Sequence, residues 1–210
     1  MSFRSSDDEQ GAQRGLVPGD PVLLTDVNAM RAMAHPARIT LHLHLAMEGP
    51  ATATECSPVV GLSPSACSYH LRQLARYGFV EQAPAAAANG RERPWRAKIV
   101  STKLESYDDP ATAMAADLLR RTFDEHWEEV RRRYHATEAE YPARWREVFG
   151  TDHSVLYATP AELEQLREQL RELFLPLSRL AGKERPEGAQ PVQLLLDITP
   201  MFAPPEPGQS

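Results

Sequence analysis

Apolar residues recur at helical spacing through the first eighty positions. Val27, Met30 and Met33 predict a helix over residues 25–34. Pro36 suits the first turn of a second helix, with Ile39, Leu43, Ala46 and Met47 as its buried stripe and Gly49-Pro50 as its stop. Thr52-Ala-Thr-Glu55 has the form of a capping box. A third helix is expected after it, burying Cys56 and Val59. Pro58 falls at its sixth position, where it lacks an amide donor and crowds the carbonyl of Thr54. That predicts a helix either very short or distorted, ended by Gly61. Ser63-Pro64 opens a fourth helix over residues 63–77; a serine cap is worth ~1 kcal/mol. Gly78 closes it as a left-handed cap. Residues 79–82 and 95–100 predict two strands around a small-residue loop, 84–94, with Asn89-Gly90 as its turn signal.

The second half starts with a long helix over residues 111–136, striped by Leu119, Phe123, Val130 and Tyr134. Residues 142–149 predict a short helix and 153–158 a strand. Thr159-Pro-Ala-Glu162 caps another helix, striped by Leu163, Leu166, Leu170, Leu173, Phe174 and Leu177, which Pro176 bends or ends. Residues 192–199 predict a last strand. The expected fold is α+β and mainly helical. A winged helix-turn-helix occupies residues 25–100. A dimerisation region, also the place for an effector, occupies 101–202: a long helix, then a small α/β part. Flexible tails are expected at 1–24 and 203–210.

Charge sharpens this division. The chain of 210 residues carries a net −6. Residues 25–100 hold 8 Lys/Arg and 5 Asp/Glu, a net +3. Residues 101–210 hold 13 and 20, a net −7, and residues 1–24 hold 2 and 4, a net −2. The mildly basic part suits phosphate, and the acidic part is repelled by it. No apolar run is long enough to span a bilayer, and residues 1–20 lack a signal-peptide core, so a cytoplasmic protein without membrane contact is expected. Two cysteines, Cys56 and Cys67, do not make a disulfide framework.

On a helical wheel, Cys67, Leu71 and Leu74 share one side of the fourth helix. Ser63 stands at its start, and Ser65, Ser68, Tyr69, Arg72 and Arg76 share the other side. Those hydroxyls, the phenol and the guanidiniums suit phosphate oxygens and base edges in a major groove. An ordinary amphipathic surface helix has the same pattern, but the caps, the preceding short helix and the basic hairpin together favour DNA. Arg91 and Arg93, with Arg96 close behind, make the hairpin loop a basic wing. The candidate DNA-binding residues are thus Ser63, Ser65, Ser68, Tyr69, Arg72, Arg76, Arg91 and Arg93. His70 lies between the two sides of the helix and is expected to be a hydrogen-bonded packing residue.

Three segments resemble the arsenical-repressor (ArsR) type of winged-helix regulators. Met30-Arg-Ala-Met-Ala-His-Pro-Ala-Arg-Ile39 looks like their opening motif, and residues 61–80 resemble their recognition helix and following strand. Gly90-Arg-Glu-Arg-Pro-Trp-Arg-Ala97 resembles the wing of the non-metal-sensing branch common in actinobacteria. Residues 156–163 and 191–194 look like the end of that branch. The resemblance implies a bacterial, dimeric regulator, usually a repressor, which binds an inverted-repeat operator in double-stranded DNA on the nucleoid. Metal-sensing members place a Cys-x-Cys pair where this chain has Thr52 and Thr54, and hydroxyls do not replace thiolates for a soft metal. His126 and Glu129 supply half of a second family pattern, but Ala115 stands where its other half belongs. No metal and no cofactor are expected.

Two alternatives stay open beside the regulator. One is a ligand-responsive sensor with a small-molecule effector among Trp127, Tyr134, Tyr141, Trp145 and Phe149, which suit a dimer seam equally well. The other is a thiol redox switch through Cys56 and Cys67, weighed against two small buried apolar residues. An enzyme is not expected: no nucleophile elbow, His-Glu-x-x-His or phosphate-cradling glycine loop is present.

Overall fold

The computed structural model describes residues 22–84, 92–98, 102–105, 107–174, 176, 186–192, 194 and 197–202. In chain order these form β1 (Val22–Leu23), α1 (Val27–Met33), α2 (Pro36–Glu48), α3 (Ala53–Val60), α4 (Pro64–Arg76), β2 (Val80–Gln82), β3 (Trp95–Ala97), β4 (Thr102–Lys103), α5 (Pro110–Thr137), α6 (Ala143–Arg146) and α7 (Pro160–Phe174), with a 3₁₀ turn at Glu138–Glu140. The fold is α+β and mainly helical.

Local chemistry sets the helix ends. Asp26 accepts from the amides of Asn28 (2.7 Å) and Ala29 (3.2 Å) and starts α1. The capping box at α3 forms: Glu55 Oε2 accepts from the Thr52 amide at 2.7 Å, and Thr52 Oγ1 from the Glu55 amide at 3.2 Å. Gly61 at φ +65° ends α3 in the left-handed region. The Leu62 amide then reaches back to the Ser57 carbonyl at 3.3 Å. Gly78 at φ +77° ends α4 in the same way, with the Phe79 amide on the Leu74 carbonyl (3.1 Å) and the Gly78 amide on Ala75 (3.0 Å). Pro58 sits inside α3, yet the helix keeps two turns. Cys56 is buried as expected, but Val59 is 42% exposed and packs on nothing central.

The core gathers Met30 and Met33 of α1, Ile39, Leu41 and Leu45 of α2, Cys56, then Cys67, Leu71 and Leu74 of α4, with Phe79, Val80 and Leu119. Burying side chains of this size contributes about 1.5–3 kcal/mol each. The stripe expected on α2 is corrected here: Leu41, His42 and Leu45 are buried, whereas Leu43 and Met47 are only partly so. This helix is wrapped by α3, α4, α5 and β3, so more than one of its faces is covered.

Strands β2 and β3 pair antiparallel with Val80 opposite Ala97, Glu81 opposite Arg96 and Gln82 opposite Trp95. Ala51 adds a bridge to Trp95, so three backbones meet beside α2. Residues 22–24, expected as part of the N-terminal tail, belong to the fold: Val22–Leu23 pairs parallel with β4, and Leu24 is buried, while residues 1–21 lie outside the described residues.

Helix α5 lays Ala115, Ala116, Leu119 and Thr122 against α1 and α2. Its alanines let the helices approach closely. Its outer turns are laced by pairs such as Asp117–Arg121 (2.8 Å) and Glu129–Arg132 (2.6 Å), each worth only ~0.3–0.5 kcal/mol. The capping box of α7 forms at Thr159 and Glu162 (2.7 and 3.3 Å), but none of its side chains is buried. The strand expected at 153–158 does not form, nor do the described residues of 192–199. A strand needs a partner for its amides and carbonyls, and among the described residues no neighbouring ladder is offered there.

Candidate nucleic-acid interface

Helix α4 separates its two faces. Cys67, Leu71 and Leu74 are fully buried, Ser63, Ser65, Tyr69, Arg72 and Arg76 are exposed, and Ser68 is half-buried. Ser63 Oγ accepts from the Ala66 amide at 3.3 Å and lies 3.0 Å from Ser65 Oγ. Arg72 Nη1 donates to Ser68 Oγ at 3.1 Å, which lays the guanidinium along the exposed face. The Arg76 guanidinium stands 5.7 Å from the Tyr77 ring centre.

Ion pairing divides the basic residues. Arg121, Arg131, Arg132 and Arg171 each face a carboxylate one turn away on their own helix. Lys98 and Lys103 also reach carboxylates. Arg72, Arg76 and Arg93 have none within ion-pair distance among the described residues. Arg72 and Arg76 are thus exposed on α4 without a counter-charge, and Arg93 is likewise unpaired in the hairpin; Arg31, Arg133, Arg144, Arg146 and Arg167 also have no ion pair among the described residues.

In the hairpin, Arg93 is exposed and Arg91 lies outside the described residues. Arg96 differs from its sequence expectation: its Nε donates to Glu81 Oε1 at 2.8 Å across the β2–β3 pair, so it braces the hairpin. Between the two wing arginines sits Glu92, which no motif singles out. Its Oε1 accepts from the Ala53 amide at 3.1 Å and its Oε2 from Thr54 Oγ1 at 2.8 Å. The base of the hairpin loop is thereby tied to the first turn of α3, where a negative charge is favoured. Thr52 and Thr54 serve as a helix cap and as Glu92's partner. Among the described residues no group of three or more His, Cys, Asp or Glu is placed to hold a metal ion.

Cys56 and Cys67 are both free and fully buried, one on α3 and one on α4. Burial, and then the neighbouring Cys67 thiol, push the Cys56 thiol up to about 11; burial raises Cys67 as well. Neutral thiols are poor nucleophiles, so the geometry favours packing over redox chemistry. His70 departs from the expected hydrogen-bonded packing residue: its Nδ1 is buried without a partner.

The aromatic residues of the second half pack on one another. Tyr134 lies 5.3 Å from Phe149 and 5.8 Å from Tyr141, and Trp145 stacks on Phe149 at 5.5 Å. Beside them is an open depression of about 300 Å³ lined by Arg144, Trp145, Val148, Glu187 and Gly188. No helix among the described residues is long and apolar enough to cross a membrane.

Residues 33–83 match a family model described as a helix-turn-helix domain, a span that takes in α2, α3, α4 and β2. The chain carries a winged helix-turn-helix domain. In it α3, the Gly61 turn and α4 are the helix-turn-helix, and β2 and β3 are the stem of the wing. A search of curated proteins finds no match. Among solved structures, a MarR family protein of Mycobacterium tuberculosis, crystallised in complex with salicylic acid, aligns over 70% of this chain and 84% of its own. Its sequence identity is 14% and its TM-score 0.25, too loose a likeness to carry an argument.

Proposed function

We propose that the chain is a sequence-specific DNA-binding transcription regulator of the ArsR type, in the branch that senses no metal. It acts as a dimeric repressor in the bacterial cytoplasm and has no catalytic step. Helix α4 enters the major groove, with Ser65, Ser68, Tyr69, Arg72 and Arg76 toward the bases and phosphates and Ser63 at its start. Arg91 and Arg93 of the wing reach the flanking backbone. The observation that carries this reading is the uncompensated arginines of α4, on a helix whose other face is fully buried. Phosphate supplies the charge that Arg72 and Arg76 lack within the chain.

Dimerisation draws support from the second half. Met114 and Leu118 of α5 are 72% and 49% exposed beside buried Ala115 and Leu119. Leu163, Leu166 and Leu170 form an apolar stripe on α7 that stays only partly covered among the described residues. A second copy that covers these faces sets two recognition helices about 34 Å apart, one turn of DNA.

Selection of genomic fragments by the purified full chain tests the reading. The enriched fragments should share an inverted repeat with half-sites about one turn apart. Sedimentation should show a two-chain species. Failure to enrich any sequence over bulk DNA would remove sequence-specific regulation, and a strict monomer would remove the dimer.

A further inference from the structure

The uncompensated positive charge does not stop at α4. His35 caps α2, its Nδ1 accepting from the Ala37 amide at 3.2 Å. Its ring stands 4.6 Å from that of His70, which in turn stands 5.3 Å from Tyr69 on the exposed face of α4. Arg38, one turn into α2, completes the group. Its Nη2 makes one long bond, 3.4 Å, to the Arg31 carbonyl, and its Nε has no partner. His70 Nδ1 is also unpartnered. The groups that face the two imidazoles are Arg38 from α2 and Tyr69 from α4, with the Arg31 carbonyl from α1 behind Arg38. No carboxylate lies within ion-pair distance of Arg38 among the described residues. Two buried nitrogens without partners lie beside a guanidinium with no counter-charge, an arrangement that suits an anion held at the Arg38 head.

We propose that His35, Arg38 and His70 form a phosphate-holding point that extends the α4 face onto the start of α2 and takes one backbone phosphodiester of bound DNA. This rests on the DNA-binding reading above. Arg38 exchanges its long bond to Arg31 for a phosphate oxygen. The phosphate also changes the balance at the imidazoles. Burial, then the Arg38 charge, lowers His35; burial, then His35 and Arg38, lowers His70. Both rings are therefore neutral in the free protein near pH 7. A phosphate beside them favours the charged form, so binding takes up a proton from solvent onto an imidazole, and affinity rises as pH falls toward 6. The Nδ1 of His35 is occupied as the cap, which leaves the His70 ring to take that proton.

The test is anisotropy titration of the full chain on a selected operator fragment and on a random duplex of equal length, over several salt concentrations, at pH 6 and pH 8. Arg38→Met keeps the aliphatic stem and removes the charge; thermal melting checks that it folds. It should weaken binding about tenfold on both duplexes alike and reduce the salt slope by about one. Arg38→Lys should keep the slope. His70→Gln should flatten the change of affinity between pH 6 and pH 8. If folded Arg38→Met keeps its affinity and slope while Arg72→Ala loses affinity, the phosphate point is refuted and the DNA-binding reading stands. If the unaltered chain binds neither duplex, both fall. If His70→Gln keeps the full pH dependence, the proton assignment is overturned.

Discussion

Removing the Glu92 carboxylate should loosen the wing from the helix-turn-helix at a measurable cost. Two of its bonds are visible: from the Ala53 amide at 3.1 Å and from Thr54 Oγ1 at 2.8 Å. Ala53 is 1% exposed, so its amide has poor access to replacement water when the carboxylate goes. An unsatisfied amide costs about 1–3 kcal/mol when fully buried. Glu92 itself is exposed, which argues for the low end, about 1 kcal/mol. Its charge at the first turn of α3 adds about 0.3–1 kcal/mol. Glu92→Ala should thus destabilise by roughly 1.5 kcal/mol, a fall in Tm of about 3–6 °C for a chain of this size. Glu92→Gln, which keeps an acceptor but no charge, should lose about half of that. The decisive assay is a double-mutant cycle with Thr54→Val, followed by circular dichroism in urea. A coupling of about 0.5–1 kcal/mol is expected. Additive effects with no coupling would show that the two side chains do not meet in solution and would refute the tether.

Gly61→Ala should cost about 1 kcal/mol through the backbone alone, because φ is +65° and a Cβ there meets nothing within 4 Å; Gly61→Asn should cost less, and equal stability of all three in thermal melts would contradict the turn geometry. Cys56 and Cys67 should resist an alkylating reagent at pH 8 in the folded protein, since both are fully buried and a pKa of about 11 leaves only ~0.1% of Cys56 as thiolate; rapid labelling without denaturant would show that the core is open. Acid should destabilise the fold through His35, His70 and His126, each lowered from its ordinary 6.5 by burial first. The unfolded chain binds the extra protons, so this part of the stability is complete above pH 6.5 and is lost as pH falls through the folded values; urea midpoints that hold constant from pH 7.5 to 5 would contradict it.

The helix-turn-helix was legible because its signals are local. The Thr52–Glu55 box, Ser63-Pro64, Gly61 and Gly78 each act over a few residues, and each does its expected work. The two faces of α4 were legible for a similar reason, since one side is buried and the other is open. Periodicity failed on α2, where neighbours on several sides bury Leu41, His42 and Leu45 together. It failed again at Val59, which the short α3 turns outward. The strands expected at 153–158 and in 192–199 rested on residue preference alone, and preference cannot supply a partner strand. Glu92 escaped because its bonds join residues 39 and 38 positions apart, and Arg96 because its salt bridge depends on the register of β2 with β3. The Arg38 group was hidden likewise: the packing of α2 on α4, not the order of residues, brings His35 to His70.

The central claim is that the exposed face of α4 reads DNA. The most direct measurement compares the unaltered chain with Arg72→Ala on a selected operator and on random duplex at one salt concentration. If Arg72 touches a base edge, operator binding should weaken by about 1–3 kcal/mol while random-duplex binding changes much less. Equal losses on both duplexes would reassign Arg72 to the backbone. Unchanged affinity on both would contradict the claim that this helix enters the groove.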